Sequence, residues 1–180
     1  TLLNLIGGLD APQSGSIKVD GSDLTTLSQA ELSDLRLTRI GFIFQAYNLI
    51  PVLSAQENVE YVMLLQGVPA EERKEKARAM LDEVGLSGMH HRRPAELSGG
   101  QQQRVAVARA IVSAPAIVLA DEPTANLDSA TGQGLLEIML EMNVKHGVTF
   151  IFSTHDAMVL SFARRVVSLK DGRIDGDVMQ

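Results

Sequence analysis

Hydrophobic and polar positions follow two different patterns along the chain. Short apolar or β-branched runs, which are typical of buried strands, are separated by longer stretches in which apolar residues recur with a helical period. Alternation of strands with helices predicts an α/β domain whose sheet is mostly parallel. The expected strands cover residues 16–19, 40–44, 116–120 and 148–152, and a terminal hairpin joins 166–169 to 173–174 around Asp171-Gly172.

Capping signals mark where several helices begin. Ser28 and Glu31, and again Ser54 and Glu57, have the Ser-x-x-Glu spacing of a capping box, and Pro69 fits the start of a further helix. Gly147 follows a long periodic stretch and predicts its end. The expected helices lie at residues 1–6, 28–37, from 54, from 69, 101–113, 130–146 and 156–163.

Residues 46–94 contain no run that is typical of a strand. We therefore expect a helical insert there, within a single domain of residues 1–180 whose α/β core comprises 1–45 and 95–180. The helix after Pro69 is rich in charge. Glu72/Lys76 and Arg78/Asp82 have the four-residue spacing of ion pairs, which indicates a helix face in contact with solvent.

Composition narrows the range of functions. A chain of 180 residues, 45% hydrophobic and 21% charged, is typical of one globular domain. The 16 Lys and Arg residues against 22 Asp and Glu residues give a net charge of −6, which disfavours a general nucleic-acid binder. Because cysteine is absent, disulfides and thiol catalysis are excluded. No apolar run approaches the roughly 20 residues needed to cross a bilayer, so no membrane-spanning segment is expected.

Two adjacent carboxylates, Asp121 and Glu122, follow the apolar strand at 116–120. Ligands of open α/β sheets gather at the carboxyl ends of strands, where an acidic residue is suited to hydrated Mg²⁺ beside nucleotide phosphates. Asp121 is the candidate metal ligand, and Glu122 is the candidate for polarising an attacking water. The alternative is a strand that enters solvent through an acidic loop without further chemistry.

The run Leu97–Gln101 precedes a helix. Its two glycines allow close approach of the backbone to a ligand, and the positive end of the helix dipole favours an anion, which predicts a phosphate-binding loop. Alternatively, Ser98 serves only as the helix N-cap. His155 comes after another predicted strand, and a lone histidine there is otherwise explained by ordinary packing or hydrogen bonding.

Taken in order, Gln45, Leu97–Gln101, Asp121-Glu122, Asp128 and His155 resemble the motifs of the ATP-binding cassette family, the nucleotide-binding subunits of ABC transporters. The resemblance extends along the whole chain. It implies a P-loop NTPase-like fold with a helical subdomain insert, ATP and Mg²⁺ as cofactors, and hydrolysis of ATP.

Individual roles follow from the resemblance. Gln45 matches the glutamine that senses Mg²⁺ or water, and Asp121 matches the Walker B aspartate. Glu122 matches the catalytic glutamate, and His155 matches the switch histidine near the γ-phosphate.

The same resemblance assigns a second group of residues to a dimer interface. Ser98, Gly99, Gly100 and Gln101 match the signature loop that contacts the γ-phosphate of ATP bound to a second cassette. Asp128 matches the D-loop aspartate at that interface. Residues 7–10, 44–51 and 120–128 further resemble the branch containing lipoprotein-release, macrolide-export and cell-division ATPases.

The family's Gly-x-x-x-x-Gly-Lys-Ser/Thr pattern, the P-loop that binds phosphates, does not occur in residues 1–180. Residues 1–4 resemble the segment directly after its Lys-Ser. We therefore expect the P-loop and the strands preceding it to lie ahead of residue 1, with Thr1 as the adjacent hydroxyl that reaches an α-phosphate oxygen. On this expectation, residues 1–180 alone do not hold ATP normally.

The leading hypothesis is an ATPase subunit that forms a homodimer around two ATP molecules and drives a separate transmembrane permease subunit, in export or in translocation of the lipoprotein or macrolide type. It would act from the cytoplasmic face of the membrane, without nucleic acid as a partner. One alternative is a chromosome-maintenance or DNA-repair ATPase. Those proteins place a long coiled coil between the glutamine and signature motifs, whereas only residues 46–96 lie there in this chain. The other alternative is an inactive fragment of a cassette.

Overall fold

A three-stranded parallel sheet forms the centre of the molecule. The computed structural model describes residues 2–180, so Thr1 and its predicted phosphate contact lie outside the described residues. The strands are β3 (Ile40–Ile43), β4 (Ile117–Asp121) and β5 (Thr149–Ser153), in the order β3-β4-β5. The apolar runs of the sequence predict all three strands to within about one residue. β4 lies in the middle, and Ile43 pairs with Ala120 while Asp121 pairs with Ser153.

Two antiparallel hairpins accompany this sheet. β1 (Lys18–Val19) pairs with β2 (Ser22–Asp23), and β6 (Arg165–Lys170) pairs with β7 (Arg173–Met179). The Asp-Gly pairs in both turns have positive φ angles, as two-residue hairpin turns require. The second hairpin is longer than expected, since β7 continues well beyond residue 174.

Helices pack against both faces of the parallel sheet. The helices outside residues 46–94 are α1 (Leu2–Ile6), α2 (Gln29–Arg39), α5 (Gly99–Ile111), α6 (Ser129–His146) and α7 (Ala157–Phe162). As predicted, Ser28 caps α2 with a capping box, and Gly147 ends α6 in the left-handed conformation. The expected start of α5 at residue 101 is wrong. Gly99 and Gly100 form its first turn, because Ser98 is the N-cap.

The segment between β3 and α5 is helical, with α3 (Ala55–Leu65) and α4 (Ala70–Glu83) and no strand between residues 46 and 94. Its buried side chains, such as Val59 and Leu81, belong to the same apolar cluster as Val105 of α5 and Val118 of β4. Burial of such side chains stabilises the fold by about 1.5–3 kcal/mol each. The insert therefore packs on the helix that leads into the central strand. Its boundaries at 46 and 94 stay a prediction.

The charged face of α4 is partly as expected. Lys76 Nζ lies 2.7 Å from Glu72 Oε1, which confirms that ion pair. The pairing of Arg78 with Asp82 is wrong, because each has another partner. Arg78 donates to Gln56 Oε1 of α3 at 3.0 Å, and Asp82 Oδ1 lies 2.8 Å from His90 Nε2. Contacts with other parts of the chain thus replace the ion pair that the four-residue spacing within α4 favours.

Among the helices described within residues 2–180, none combines the length and the apolar character that a bilayer-spanning segment requires.

Candidate functional site

The predicted catalytic residues Glu122 and His155 are in direct contact. Glu122 Oε1 lies 2.6 Å from His155 Nδ1, and Glu122 Oε2 accepts a hydrogen bond from Thr154 Oγ1 at 3.1 Å. The carboxylate is 22% exposed and the imidazole is 91% exposed. Since each carboxylate oxygen has two lone pairs, Glu122 keeps acceptor capacity for a water molecule.

The backbone directs this carboxylate. Glu122 follows β4 with a φ angle of 44°, a conformation that non-glycine residues adopt at a cost of about 1–3 kcal/mol. Its amide donates to Ser153 O at the end of β5 at 2.9 Å. The turn is therefore held by the neighbouring parallel strand, and it places Glu122 beside the loop that carries Thr154 and His155.

Asp121 and Gln45 lie at the same edge of the sheet, because β3 and β4 are parallel neighbours. Asp121 is exposed and borders a cavity of about 30 Å³ that is also lined by Asn4 and Phe44. Gln45 is exposed, and its carbonyl oxygen accepts a hydrogen bond from Asn126 Nδ2 at 2.9 Å. Within residues 2–180 there is no group of three or more His, Cys, Asp or Glu residues arranged to hold a metal ion.

Ser98 caps α5 with a complete capping box. The Gln101 amide donates to Ser98 Oγ at 3.3 Å, and the Ser98 amide donates to Gln101 Oε1 at 2.9 Å. The alternative role of Ser98 as an N-cap is therefore present, alongside any role toward a phosphate. Gly99 and Gly100 both face other parts of the chain closely: a Cβ on Gly99 would meet Tyr47 Oη, and one on Gly100 would meet Thr131 Cγ2.

Asp128 is the N-cap of α6. Its Oδ1 accepts from the Thr131 amide at 3.0 Å and its Oδ2 accepts from the Thr131 hydroxyl at 2.6 Å. Hydrogen bonds from the Thr131 hydroxyl and amide lower the pKa of the Asp128 carboxyl below its ordinary value. In the described residues, no hydrogen bond or ion pair joins residues 98–101 to Asp121, Glu122 or His155, so the predicted residues form two groups.

Several polar residues that connect the site loops have no signal in the sequence analysis. Gln103 of α5 is fully buried and donates to Pro123 O, directly after Glu122, at 2.8 Å. Arg109 donates to the carbonyl oxygens of Tyr47 and Asn48, and burial lowers the pKa of its guanidinium. These residues contact backbone groups that are distant in sequence, so no spacing rule points to them.

Known proteins resemble this chain over nearly its whole length. The profile of the family described as "ABC transporter" matches residues 1–125. A macrolide export ATP-binding/permease protein MacB of Sodalis glossinidius is 48% identical over 177 residues, which cover 98% of this chain and 27% of that protein. An ABC transporter ATP-binding protein of Thermotoga maritima is 45% identical over 176 residues, covering 98% of this chain and 75% of that protein. The chain thus spans about a quarter of the first relative and three quarters of the second.

Solved structures agree with the sequence comparisons. The dimeric, post-hydrolysis structure of the ATP-binding cassette MJ0796 bound to ADP and Pi has a TM-score of 0.88 at 40% identity, covering 99% of this chain and 78% of that one. The cbiO1 protein from Clostridium perfringens, part of the ABC transporter complex cbiONQ, has a TM-score of 0.89 at 28% identity, covering 98% and 70%. The predicted P-loop NTPase-like α/β fold is confirmed, the predicted resemblance to macrolide-export proteins agrees with the MacB relative, and the chain belongs to the ABC transporter family.

Proposed function

We propose that this domain hydrolyses ATP with Glu122 as the general base. The observation that carries the proposal is the Glu122 carboxylate at the end of β4, oriented by Thr154 and His155. A carboxylate in this position accepts a proton from water while the water oxygen attacks the γ-phosphorus. The bond from the γ-phosphorus to the β–γ bridging oxygen breaks, and ADP and phosphate leave. Such base catalysis contributes about 10²–10⁴-fold in rate.

Asp121 and Gln45 are the residues that would hold Mg²⁺. This ion prefers oxygen ligands, keeps several waters and binds through only one or two carboxylates. The exposed Asp121 carboxylate, with the Gln45 loop on the adjacent strand, fits these requirements. Bound Mg²⁺ neutralises charge on the β- and γ-phosphates. His155 keeps the Glu122 carboxylate oriented, because its Nδ1 contacts Oε1 directly.

The signature residues Ser98, Gly99, Gly100 and Gln101 would serve a nucleotide bound to a second copy of the domain. The separation of residues 98–101 from the Glu122 group within one chain supports this assignment, since one copy then contributes to two nucleotide sites. Asp128 would lie at the same dimer interface. The solved MJ0796 cassette, similar along 99% of this chain, is itself described as dimeric.

The helical insert is the proposed docking surface for a transmembrane permease. Val52, Tyr61, Leu64 and Leu65 are exposed apolar side chains on and next to α3, each more than 40% exposed. MacB relatives are described as ATP-binding/permease proteins, which supports a permease partner of the export type. We place the domain at the cytoplasmic face of the membrane as a peripheral component.

The proposal is tested by Glu122→Gln. Because residues 1–180 contain no Gly-x-x-x-x-Gly-Lys-Ser/Thr run, ATP-dependent assays use the chain joined behind a segment that supplies this pattern. The substitution removes the proton acceptor and keeps the shape of the side chain. We expect ATP hydrolysis to fall about 10²-fold or more, while ATP-dependent dimerisation, measured by light scattering, persists.

Glu137→Gln is the matched control, since Glu137 is an exposed carboxylate of α6 that accepts a hydrogen bond from Gln133. It should leave both turnover and dimerisation unchanged. Unchanged turnover in Glu122→Gln would remove Glu122 from the catalytic role.

A further inference from the structure

The side chain of Arg109, in α5, makes two hydrogen bonds to the loop that follows Gln45. Its Nη1 donates to Asn48 O at 2.6 Å and its Nη2 donates to Tyr47 O at 2.9 Å. The planar guanidinium fork is suited to two such acceptors at once, whereas a lysine ammonium is not. The Arg109 side chain therefore fixes two successive peptide units of this loop relative to the axis of α5.

The two residues whose carbonyl oxygens bind Arg109 have an unfavourable backbone conformation. Tyr47 and Asn48 have φ angles of 59° and 48°, in the left-handed region that non-glycine residues seldom adopt. Two adjacent residues of this kind persist only where surrounding contacts hold them. The loop also receives a hydrogen bond from Asn126, whose Nδ2 donates to Gln45 O at 2.9 Å. Side chains from α5 and from the loop after β4 thus hold residues 45–48 together.

The Tyr47 side chain makes a second contact between this loop and α5, at Gly99. A Cβ added to Gly99 would lie 2.9 Å from Tyr47 Oη and 3.8 Å from Tyr47 Cζ. The tyrosine hydroxyl therefore occupies the space that the missing Gly99 side chain leaves. Tyr47 is half-buried, so the contact forms part of the packed structure and not of a free surface.

We propose that Arg109 and Tyr47 are positioning residues that fix the distance between Gln45 and the start of α5. With these two contacts, residues 45–48 and residues 98–101 move together: a displacement of the Gln45 loop is transmitted to the signature loop. This inference rests on the proposed function only in its consequence, which is that one domain couples its own nucleotide site to that of the second copy. The physical link is a property of the chain alone.

A double-mutant cycle tests the link in the 180-residue chain. Gly99→Ala places a methyl group against Tyr47 Oη, and Tyr47→Phe removes that hydroxyl. We expect Gly99→Ala to lower the melting temperature by about 3–6 °C in the wild-type background and by clearly less in the Tyr47→Phe background. Tyr61→Phe, at the other tyrosine of the chain, is the matched control and should give no such recovery. Additive effects of Gly99→Ala and Tyr47→Phe would overturn the contact.

Arg109→Lys tests the grip on the loop. Loss of the fork should raise the hydrogen-exchange rate of the amides of residues 45–50 about tenfold or more, whereas Arg78→Lys, in the insert, should leave it unchanged. With the P-loop segment in place, Arg109→Lys should lower kcat several-fold, change KM less than twofold and reduce the Hill coefficient for ATP toward 1. Unchanged exchange, or a change in KM alone, would overturn the proposal. Absence of ATP hydrolysis in the unsubstituted protein would instead overturn the proposed function, and the exchange result would still decide the link.

Discussion

The helices α3 and α5 begin with the same hydrogen-bonded cap but with different residues around it. The Glu57 amide donates to Ser54 Oγ at 3.2 Å and the Ser54 amide donates to Glu57 Oε2 at 2.8 Å. The corresponding bonds of Ser98 and Gln101 measure 3.3 and 2.9 Å. Geometry alone therefore does not distinguish the helix start in the insert from the one proposed to face a nucleotide.

The difference lies in charge and in side-chain volume. Glu57 places a carboxylate at the positive end of the helix dipole, where it compensates that dipole and would repel a phosphate. Gln101 makes the same hydrogen bond without a charge, so the N-terminus of α5 stays favourable for an external anion. The first turn of α5 also begins with two glycines, where α3 has Ala55 and Gln56. One local motif thus serves stability in α3 and, on our proposal, phosphate recognition in α5.

The comparison is tested most strongly by Ser98→Ala beside Ser54→Ala. Each change removes an N-cap and should cost about 1 kcal/mol of unfolding free energy. Only Ser98→Ala should also lower ATP turnover, by about 10–100-fold, because a hydrogen bond to a charged phosphate contributes about 1.5–3 kcal/mol. Urea unfolding and turnover of the chain with its P-loop segment measure the two effects. Equal turnover in both variants would mean that the two caps are functionally alike.

Gly100→Ala examines the volume difference. The new methyl group would collide with Thr131 Cγ2 at the contact between α5 and α6, so we expect a loss of about 1–3 kcal/mol in unfolding free energy. Thr131→Ser removes that methyl and keeps the hydroxyl that donates to Asp128, and it should recover most of the loss. Gly134→Ala is the control, since its nearest contact is 3.7 Å away. A loss that persists in the Thr131→Ser background would point to another cause.

Substitutions at the N3 residues of the two capping boxes, Gln101 and Glu57, test the effect of charge at the start of each helix. Gln101→Glu should retain the capping box but raise the KM for ATP about two- to fivefold, because a carboxylate at the helix start opposes phosphate by about 0.3–1 kcal/mol. Glu57→Gln should leave KM unchanged. Raising the salt concentration should reduce the difference, since exposed charges are screened. A KM that does not respond to Gln101→Glu would argue against a phosphate at α5.

The smallest expected effect is a pH dependence of stability that the cap of α3 has and the cap of α5 lacks. Hydrogen bonds from the Ser54 amide and hydroxyl lower the pKa of the Glu57 carboxyl below its ordinary 4.5. Its contribution to stability is therefore complete above pH 4.5 and is lost as pH falls through the lowered pKa. Glu57→Gln should make urea unfolding slightly less sensitive to acid in that window. Gln101→Ala should change stability equally at pH 7 and below pH 4.5, because the Gln101 amide does not titrate.

Much of the fold follows from local sequence. The capping boxes at Ser28 and Ser54, the apolar strands and the Asp-Gly turn at residue 171 are each specified by neighbouring residues, so the sequence predicts them within about two positions. The sequence predicts the start of α5 two residues too late, because two successive glycines are typical of a turn, whereas the N-cap at Ser98 makes them the first turn of the helix. Four-residue spacing alone does not predict the partners of Arg78 and Asp82. Arg78 bonds to Gln56 and Asp82 bonds to His90, and not to each other.

The residues of the candidate site likewise include some that the sequence identifies and some that only the tertiary structure reveals. The position of Glu122 after an apolar strand identifies it as a candidate, resemblance to a family identifies His155, and the structure places the two side chains in contact. Arg109, Gln103 and Asn126 donate to backbone carbonyls on other loops, and every residue, proline included, presents the same carbonyl group to a donor. Their partners are therefore fixed by tertiary structure and carry no sequence pattern of their own.

The pairing of β3 with β4 has a consequence for how the molecule folds. Ile40 lies opposite Ile117, so the complete insert and α5 separate two strands that must meet. Parallel pairing between such distant segments forms slowly, because the intervening chain loses entropy before the contacts stabilise it. We expect the docking of α3 and α4 on α5 to shorten this loop early in folding. The insert then governs how fast the loops of Gln45 and Glu122 come together, well before any nucleotide or permease is present.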